Sequence, residues 1–235
     1  MPIKITVPQF ADTVEHKRLD VTAWDDIYII GDVHGCHDEL NQLLSTLDVT
    51  DTDLVVFVGD LVRKGPDSKG VLEHVRHAEN MFTIRGNNEE KLLRGEKSLP
   101  VLSSDDLSWI RSRPVGISWQ DTLVVHGGVD PRKELSEHTT YELQTFRSLS
   151  SGYDRPFWWE RYDGSDRIFF GHTPLAAPVY RECAIGLDTG CVYGNQLTAY
   201  DWRRDCFHSV TAEKTVQHRN ESKWVHPDQS PPAAD

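Results

Sequence analysis

Ile27-Tyr28-Ile29-Ile30-Gly31-Asp32-Val33-His34-Gly35 is an apolar run that ends in a glycine-bounded Asp-x-His. In an extended backbone, residues two apart face the same side, so Asp32 and His34 can reach one ion while Val33 faces away. The glycines permit the sharp turn and close backbone approach that such a site needs at a strand end. The same pattern recurs along the chain. The apolar run 54–58 is followed by Gly59-Asp60, 81–84 by Gly86-Asn87-Asn88-Glu89, 123–125 by His126-Gly127-Gly128, and 168–170 by Gly171-His172-Thr173. In open α/β sheets, functional groups gather beyond the carboxyl ends of the strands, so these runs predict one shared pocket.

Carboxylate, imidazole and amide oxygen in one pocket suit borderline divalent ions. Manganese is the first expectation, with iron or zinc as alternatives. Paired ions sit about 3.5–4 Å apart and need a carboxylate between them, and Asp60 is the natural bridge. A single aspartate in a Gly-Asp turn is more often bonded to its own backbone. The ordered repetition is what points to metal.

These segments resemble the phosphoprotein phosphatase branch of the calcineurin-like metallophosphoesterases, a group that also contains the diadenosine tetraphosphatases. The resemblance runs from about residue 27 to residue 200. It takes in Gly65-Pro66-Asp67-Ser68, Trp158-Trp159-Glu160-Arg161, Asp188-Thr189-Gly190 and Gly194-Asn195-Gln196-Leu197-Thr198, and is strongest to the short prokaryotic members. It implies that Asp32 and His34 hold the first ion, that Asp60 bridges, and that Asn87, His126 and His172 hold the second. The implied fold is an α/β four-layer sandwich of two mixed β-sheets flanked by helices.

Two departures from the family pattern stand out. Where the family has Asn-His-Glu this chain has Asn87-Asn88-Glu89, so the imidazole that would protonate a leaving group is an amide. Where the family has Asp-Arg-Gly the chain has Arg63-Lys64-Gly65, so the carboxylate that would support that imidazole is a cation. The loss of both partners is coherent, since neither has its usual task without the other. His37 and His138 remain as histidines that could replace the acid.

A positioned general acid contributes typically ~10²- to 10⁴-fold, most of it for poor leaving groups. Asn88 therefore tilts the chemistry toward good ones. Arg63, Lys64 and Arg161 are expected around the phosphoryl oxygens, both binding substrate and stabilising charge. The expected activity is two-metal phosphohydrolysis by direct attack of a metal-activated water, with a lean toward dinucleoside polyphosphates or aryl phosphates. Serine/threonine phosphoprotein phosphatase activity is one alternative, and a weakly catalytic phosphate-binding module is another. A thiol phosphatase is excluded, because Gln42 stands where a Cys-x5-Arg loop beginning at Cys36 would place arginine.

The net charge of −12, from 25 basic and 37 acidic residues, opposes broad nucleic-acid or anionic-membrane binding. It leaves a phosphorylated small molecule or a phosphoprotein as substrate. Arginine exceeds lysine, which together with the acid excess fits either ordinary solubility charge or a salt-adapted source. Cys36, Cys183, Cys191 and Cys206 lack paired metal spacing, and no secretory core or membrane-length apolar run is present. A reduced, cytoplasmic protein is expected.

The chain is expected to divide into an N-terminal extension (1–26), one metallophosphoesterase domain (27–210) and a disordered polar tail (211–235). Apolar spacing predicts helices over 38–47, 68–78, 88–94 and 105–111. Strands are predicted over 115–119, 122–125, 179–187, 196–200 and 206–210. His74 and His77, three apart on the second helix, read as surface residues.

Overall fold

The computed structural model describes residues 8–228. Its first half alternates strand and helix: β1 (His16–Arg18), β2 (Ile27–Ile30), α1 (His37–Thr46), β3 (Leu54–Phe57), α2 (Ser68–His77), β4 (Met81–Thr83), α3 (Asn87–Leu93) and α4 (Ser104–Arg111). The second half is strand-rich: β5 (Gly116–Trp119), β6 (Thr122–Val125), α5 (Thr140–Thr145), β7 (Arg167–Phe170), β8 (Val179–Arg181), β9 (Ala184–Gly186), β10 (Gln196–Asp201) and β11 (Cys206–Thr211).

The strands form a five-stranded sheet in the order β11-β10-β2-β3-β4 and a six-stranded sheet in the order β1-β5-β6-β7-β9-β8. Both are mixed. In the first, β2 and β4 lie parallel to β3 and β10 runs antiparallel. In the second, β7 is parallel to β6 and β9 and β1 is parallel to β5, while β5 runs antiparallel to β6 and β8 to β9.

Side-chain alternation sets the layers. Ile27, Ile29, Leu54 and Val56 face Ile117, Trp119, Val124, Phe169 and Ile185 across the space between the sheets. The alternate residues Tyr28, Ile30, Val55 and Phe57 face outward, onto Leu40, Leu43 and Leu44 of α1 and Val71, Leu72 and Val75 of α2. On the far side of the six-stranded sheet, Leu123, Val125, Ile168 and Phe170 are covered by Leu143 of α5 and by Trp158 and Trp159. Strands buried on both faces read as continuous apolar runs, which is why 27–30 and 54–58 lack a polar alternation.

Three expectations need correction. The strand expected over 179–187 is a hairpin, β8 antiparallel to β9, because Glu182 and Cys183 turn the chain between them. The N-terminal extension is not free of the domain, since β1 adds to the sheet edge beside β5. The polar stretch from Thr211 is not a loose tail as far as Asp228. Thr211 ends β11, Val225 is buried and bridges to Leu175, and only 229–235 lie outside the described residues. A few apolar anchors, Val225 and Trp224 among them, hold a segment whose average composition is polar.

Candidate active site

The carboxyl ends of β2, β3, β6 and β7 open at one end of the sandwich, and each delivers a candidate ligand. Asp32 and His34 follow β2, Asp60 follows β3, and Asn87 begins α3 just beyond β4, all from the five-stranded sheet. His126 follows β6 and His172 follows β7, from the six-stranded sheet. Three of them adopt left-handed backbone, with φ of 51° at His34, 51° at Asp60 and 67° at His172. Such conformations cost roughly 1–3 kcal/mol each in a non-glycine residue. Backbone bonds offset the cost: His34 N–H donates to the Asp60 carbonyl at 2.8 Å, and Gly65 N–H donates to the His34 carbonyl at 2.7 Å.

The donor atoms converge. One atom each from Asp32, His34 and Asp60 lies within 4.8 Å of the others. Asn87 Oδ1 lies 3.1 Å from His126 Nε2 and 2.9 Å from His172 Nδ1. His126 Nε2 is in turn 3.4 Å from Asp60 Oδ2, so Asp60 stands between the two groups. Outer contacts aim the rings: His126 Nδ1 donates to the Val58 carbonyl at 2.8 Å, which leaves the Nε2 lone pair pointing inward. The glycines form the cradle. A Cβ at Gly171 would lie 2.0 Å from Asp32 Oδ1, and one at Gly86 would lie 2.2 Å from Asp60 Oδ1. Hard oxygen and imidazole donors in two adjoining sets fit a pair of borderline divalent cations.

Buried charge sets the electrostatics. Burial and the neighbouring Asp188 push the Asp32 carboxyl up. Burial also opposes ionisation of Asp60, yet the imidazoles of His126 and His34 hold its carboxyl well below the usual range. Burial works against the His126 cation as well, but Asp60 and Asp32 raise it to about 10. Burial and Lys64 lower His34 to about 3. Among the imidazoles around Asp60, the positive charge thus settles on His126, while His34 is held neutral.

Asn88 and Arg63, the two departures from the family pattern, meet. Arg63 Nη1 donates to Asn88 Oδ1, Asn88 Nδ2 donates to Asp60 Oδ2, and the Asn88 backbone N–H donates to Asp60 Oδ1 at 2.8 Å. The amide thus links guanidinium to bridge. Lys64 Nζ lies 2.5 Å from His34 Nε2 and 5.3 Å from the centre of the Tyr193 ring. Burial works against its charge, but Asp60 keeps the ammonium protonated.

Arg161 does not join them. Its side chain is exposed and makes no hydrogen bond or ion pair among the described residues. The aromatic segment before it serves the fold, with Trp158 Nε1 donating to the Gly127 carbonyl at 3.1 Å behind the His126 turn. The arginine at the site is Arg147, with Nη2 2.7 Å from His172 Nε2 and Nε 2.9 Å from Thr173 Oγ1. His37 is paired with Asp67 at 3.0 Å, and His74 packs edge-on against it. His138 accepts the Asp130 N–H at 2.8 Å and bonds the Glu134 carbonyl at 3.0 Å. Both proposed substitutes for the missing acid are committed elsewhere.

Two further acids, quoted within the sequence motifs but given no role there, belong to the site. Glu89 accepts the N–H groups of Asp60 and Gly86, each at 2.9 Å, and of Val62 at 3.1 Å, tying the Asp60 turn to the Asn87 turn. Its burial and the nearby Asp60 raise it to about 7. Asp188 is buried beside Asp32. It follows the apolar run 184–187, the same signal that marked the other ligands.

Comparisons with known proteins agree with this geometry. Residues 26–225 match the family model described as calcineurin-like phosphoesterase. A bis(5'-nucleosyl)-tetraphosphatase PrpE (asymmetrical) from Halalkalibacterium halodurans is 31% identical, over 80% of this chain and 94% of its own length. Serine/threonine-protein phosphatase 1 of Salmonella typhimurium is 26% identical, over 78% of this chain and 94% of its own. A solved structure provisionally described as a diadenosine tetraphosphatase superposes with a TM-score of 0.77 at 29% identity, covering 85% of this chain and 98% of that one. The chain belongs to the calcineurin-like phosphoesterases and is a metal-dependent phosphohydrolase.

Proposed function

We propose that this phosphohydrolase works with two divalent cations, manganese first among them, in the cytoplasm, and that it prefers phosphoanhydrides such as dinucleoside polyphosphates, or aryl phosphates, over phosphoserine. The Arg63–Asn88–Asp60 chain carries the reading. With both ends of its amide engaged and no ionisable proton, Asn88 cannot supply the general acid that an alkoxide leaving group needs. A nucleotide phosphate or a phenolate leaves without that help.

Asp32 and His34 would hold one cation, Asn87, His126 and His172 the other, with Asp60 between them. When bound, the pair supplies an activated water and neutralises charge on the phosphoryl oxygens. The chain's own cations then orient the substrate. Arg63 is fixed by Asn88, and Arg147 is fixed by Thr173, so each presents a guanidinium whose fork matches phosphoryl oxygens. Lys64 has a flexible stem, so its ammonium can leave His34 for a phosphoryl oxygen when a cation takes the imidazole nitrogen. The names of the tetraphosphatase relatives support the anhydride preference. The Salmonella relative's name keeps phosphoprotein hydrolysis as the competing activity.

The test is kcat/KM for diadenosine tetraphosphate against a phosphoserine peptide, both with manganese. A preference for the tetraphosphate is expected, and a clear preference for the peptide would overturn the reading.

A further inference from the structure

The mouth of the site is lined by alternating cations and aromatic rings, of which Arg219, Tyr153 and Tyr193 have no part in the hydrolytic step proposed above. Lys64 lies 5.3 Å from the Tyr193 ring centre, Arg219 lies 4.8 Å from Tyr193 and 5.6 Å from Tyr153, and Arg147 lies 4.3 Å from Tyr153. The series begins at Lys64 beside His34 and ends at Arg147 beside His172, so it spans the opening from one ligand set to the other. All five side chains are half-buried, open to solvent on one side.

Arg219 comes from the stretch expected to be a tail. That stretch is bound down on either side of it. Ala212 N–H donates to the Asn195 carbonyl at 2.8 Å, Gln217 N–H to Val192 at 3.0 Å, and Ala176 N–H to Val225 at 2.8 Å. Trp224 sits over Gly190, where a Cβ would lie 2.3 Å from the indole. Arg219 then donates to Tyr193 Oη at 3.1 Å and Tyr153 Oη at 2.5 Å.

Charge balance is the telling feature. The chain carries 37 acidic residues against 25 basic ones, so carboxylate partners are plentiful. Even so, among the described residues none of Arg63, Lys64, Arg147 and Arg219 forms an ion pair with a carboxylate. Arg147 and Arg219 instead share one tyrosine and repel each other. Cations gathered together with no carboxylate in direct contact, and with the buried Asp60 and Asp188 acting on them from longer range, are arranged for an anion from outside. The anion they fit is longer than one phosphoryl group, because Arg147 and Lys64 already serve the reacting one.

We infer that Arg219, held by Tyr153 and Tyr193, forms a distal subsite for the leaving oligophosphate of the substrate. This rests on the anhydride preference proposed above and adds the residues that would confer it.

The experiment measures kcat/KM for diadenosine tetraphosphate, inorganic tripolyphosphate and p-nitrophenyl phosphate, with manganese, in the wild-type full chain and in Arg219→Ala and Arg219→Gln. The glutamine variant can still bond to the tyrosine oxygens while lacking charge, so it separates loss of the cation from loss of the fold. The expected result is a fall of about tenfold or more, for both variants, in the ratio of tetraphosphate to p-nitrophenyl phosphate kcat/KM. Tripolyphosphate should fall with it, because the charge of Arg219 is what the subsite reads. An unchanged ratio, or equal loss on every substrate, would overturn it. Failure of the anhydride preference itself would appear in the wild-type chain alone, before any variant is compared.

Discussion

Asn88 and Arg63 lie 25 residues apart in sequence but join in one hydrogen bond, so their departures from the family pattern should be energetically coupled. Asn88→His alone would set an imidazole against a guanidinium, which disfavours the protonated ring. Arg63→Asp alone would point a carboxylate at the amide oxygen. Together they would rebuild an acid and its support. We expect the double variant to raise kcat/KM on an alkyl phosphate about tenfold or more above the product of the single effects. Additive single effects, measured in a double-mutant cycle, would show that the pair does not act as a unit. Asp60 is the opposite case, since every other ligand is arranged around it. Asp60→Asn should lower hydrolysis of p-nitrophenyl phosphate by roughly two orders of magnitude or more, and an active variant would remove Asp60 from the bridge.

Among the elements, α2 and α4 are joined through one buried carboxylate. Asp106 accepts the Ser103 N–H at 2.8 Å and Oγ–H at 2.9 Å at the start of α4, and also receives Lys69 of α2 at 2.7 Å and Arg76 at 3.3 Å. Burial opposes its charge, but Lys69 and the Ser103 capping bonds hold it at about 2. Because the folded value lies below the unfolded one, its stabilisation is complete above about pH 4 and is lost as pH falls toward about 2. Asp106→Asn should therefore cost about 1–3 kcal/mol in urea unfolding at pH 7. The gap from wild type should close between about pH 4 and pH 2; a constant gap would deny the linkage. At this same scale the sequence was most legible, because a strand buried on both faces needs an apolar run and a ligand needs a turn after it. That logic placed β2, β3, β6 and β7 with the candidate ligands that follow them. It could not place Arg147 or Arg219, whose roles depend on long-range packing and leave no local pattern. Arg161, expected beside the substrate, is exposed, because the aromatic segment before it turns inward and Trp158 bonds the Gly127 carbonyl behind the His126 turn.

The two sheets of the molecule meet at the ligand cluster. Asp32, His34, Asp60 and Asn87 belong to the five-stranded sheet, and His126 and His172 to the six-stranded one. Cations held by both sets would cross-link the halves of the sandwich, so metal should stabilise the whole fold as well as the reaction. A ligand present at one hundred times its Kd stabilises by about 2.7 kcal/mol. For a domain of this size each kcal/mol is worth roughly 2–4 °C of Tm. Chelation of the manganese-loaded protein should then lower Tm by about 5–11 °C, and manganese should restore it. Asn87→Ala removes the oxygen that lies near both histidines of the six-stranded sheet, so it should abolish most of that response while leaving the hydrophobic layers intact. If Tm were unmoved by chelation, or Asn87→Ala responded as wild type does, the cations would not be held by both sheets. The interior between Ile29 and Phe169 would then have to join the halves without them.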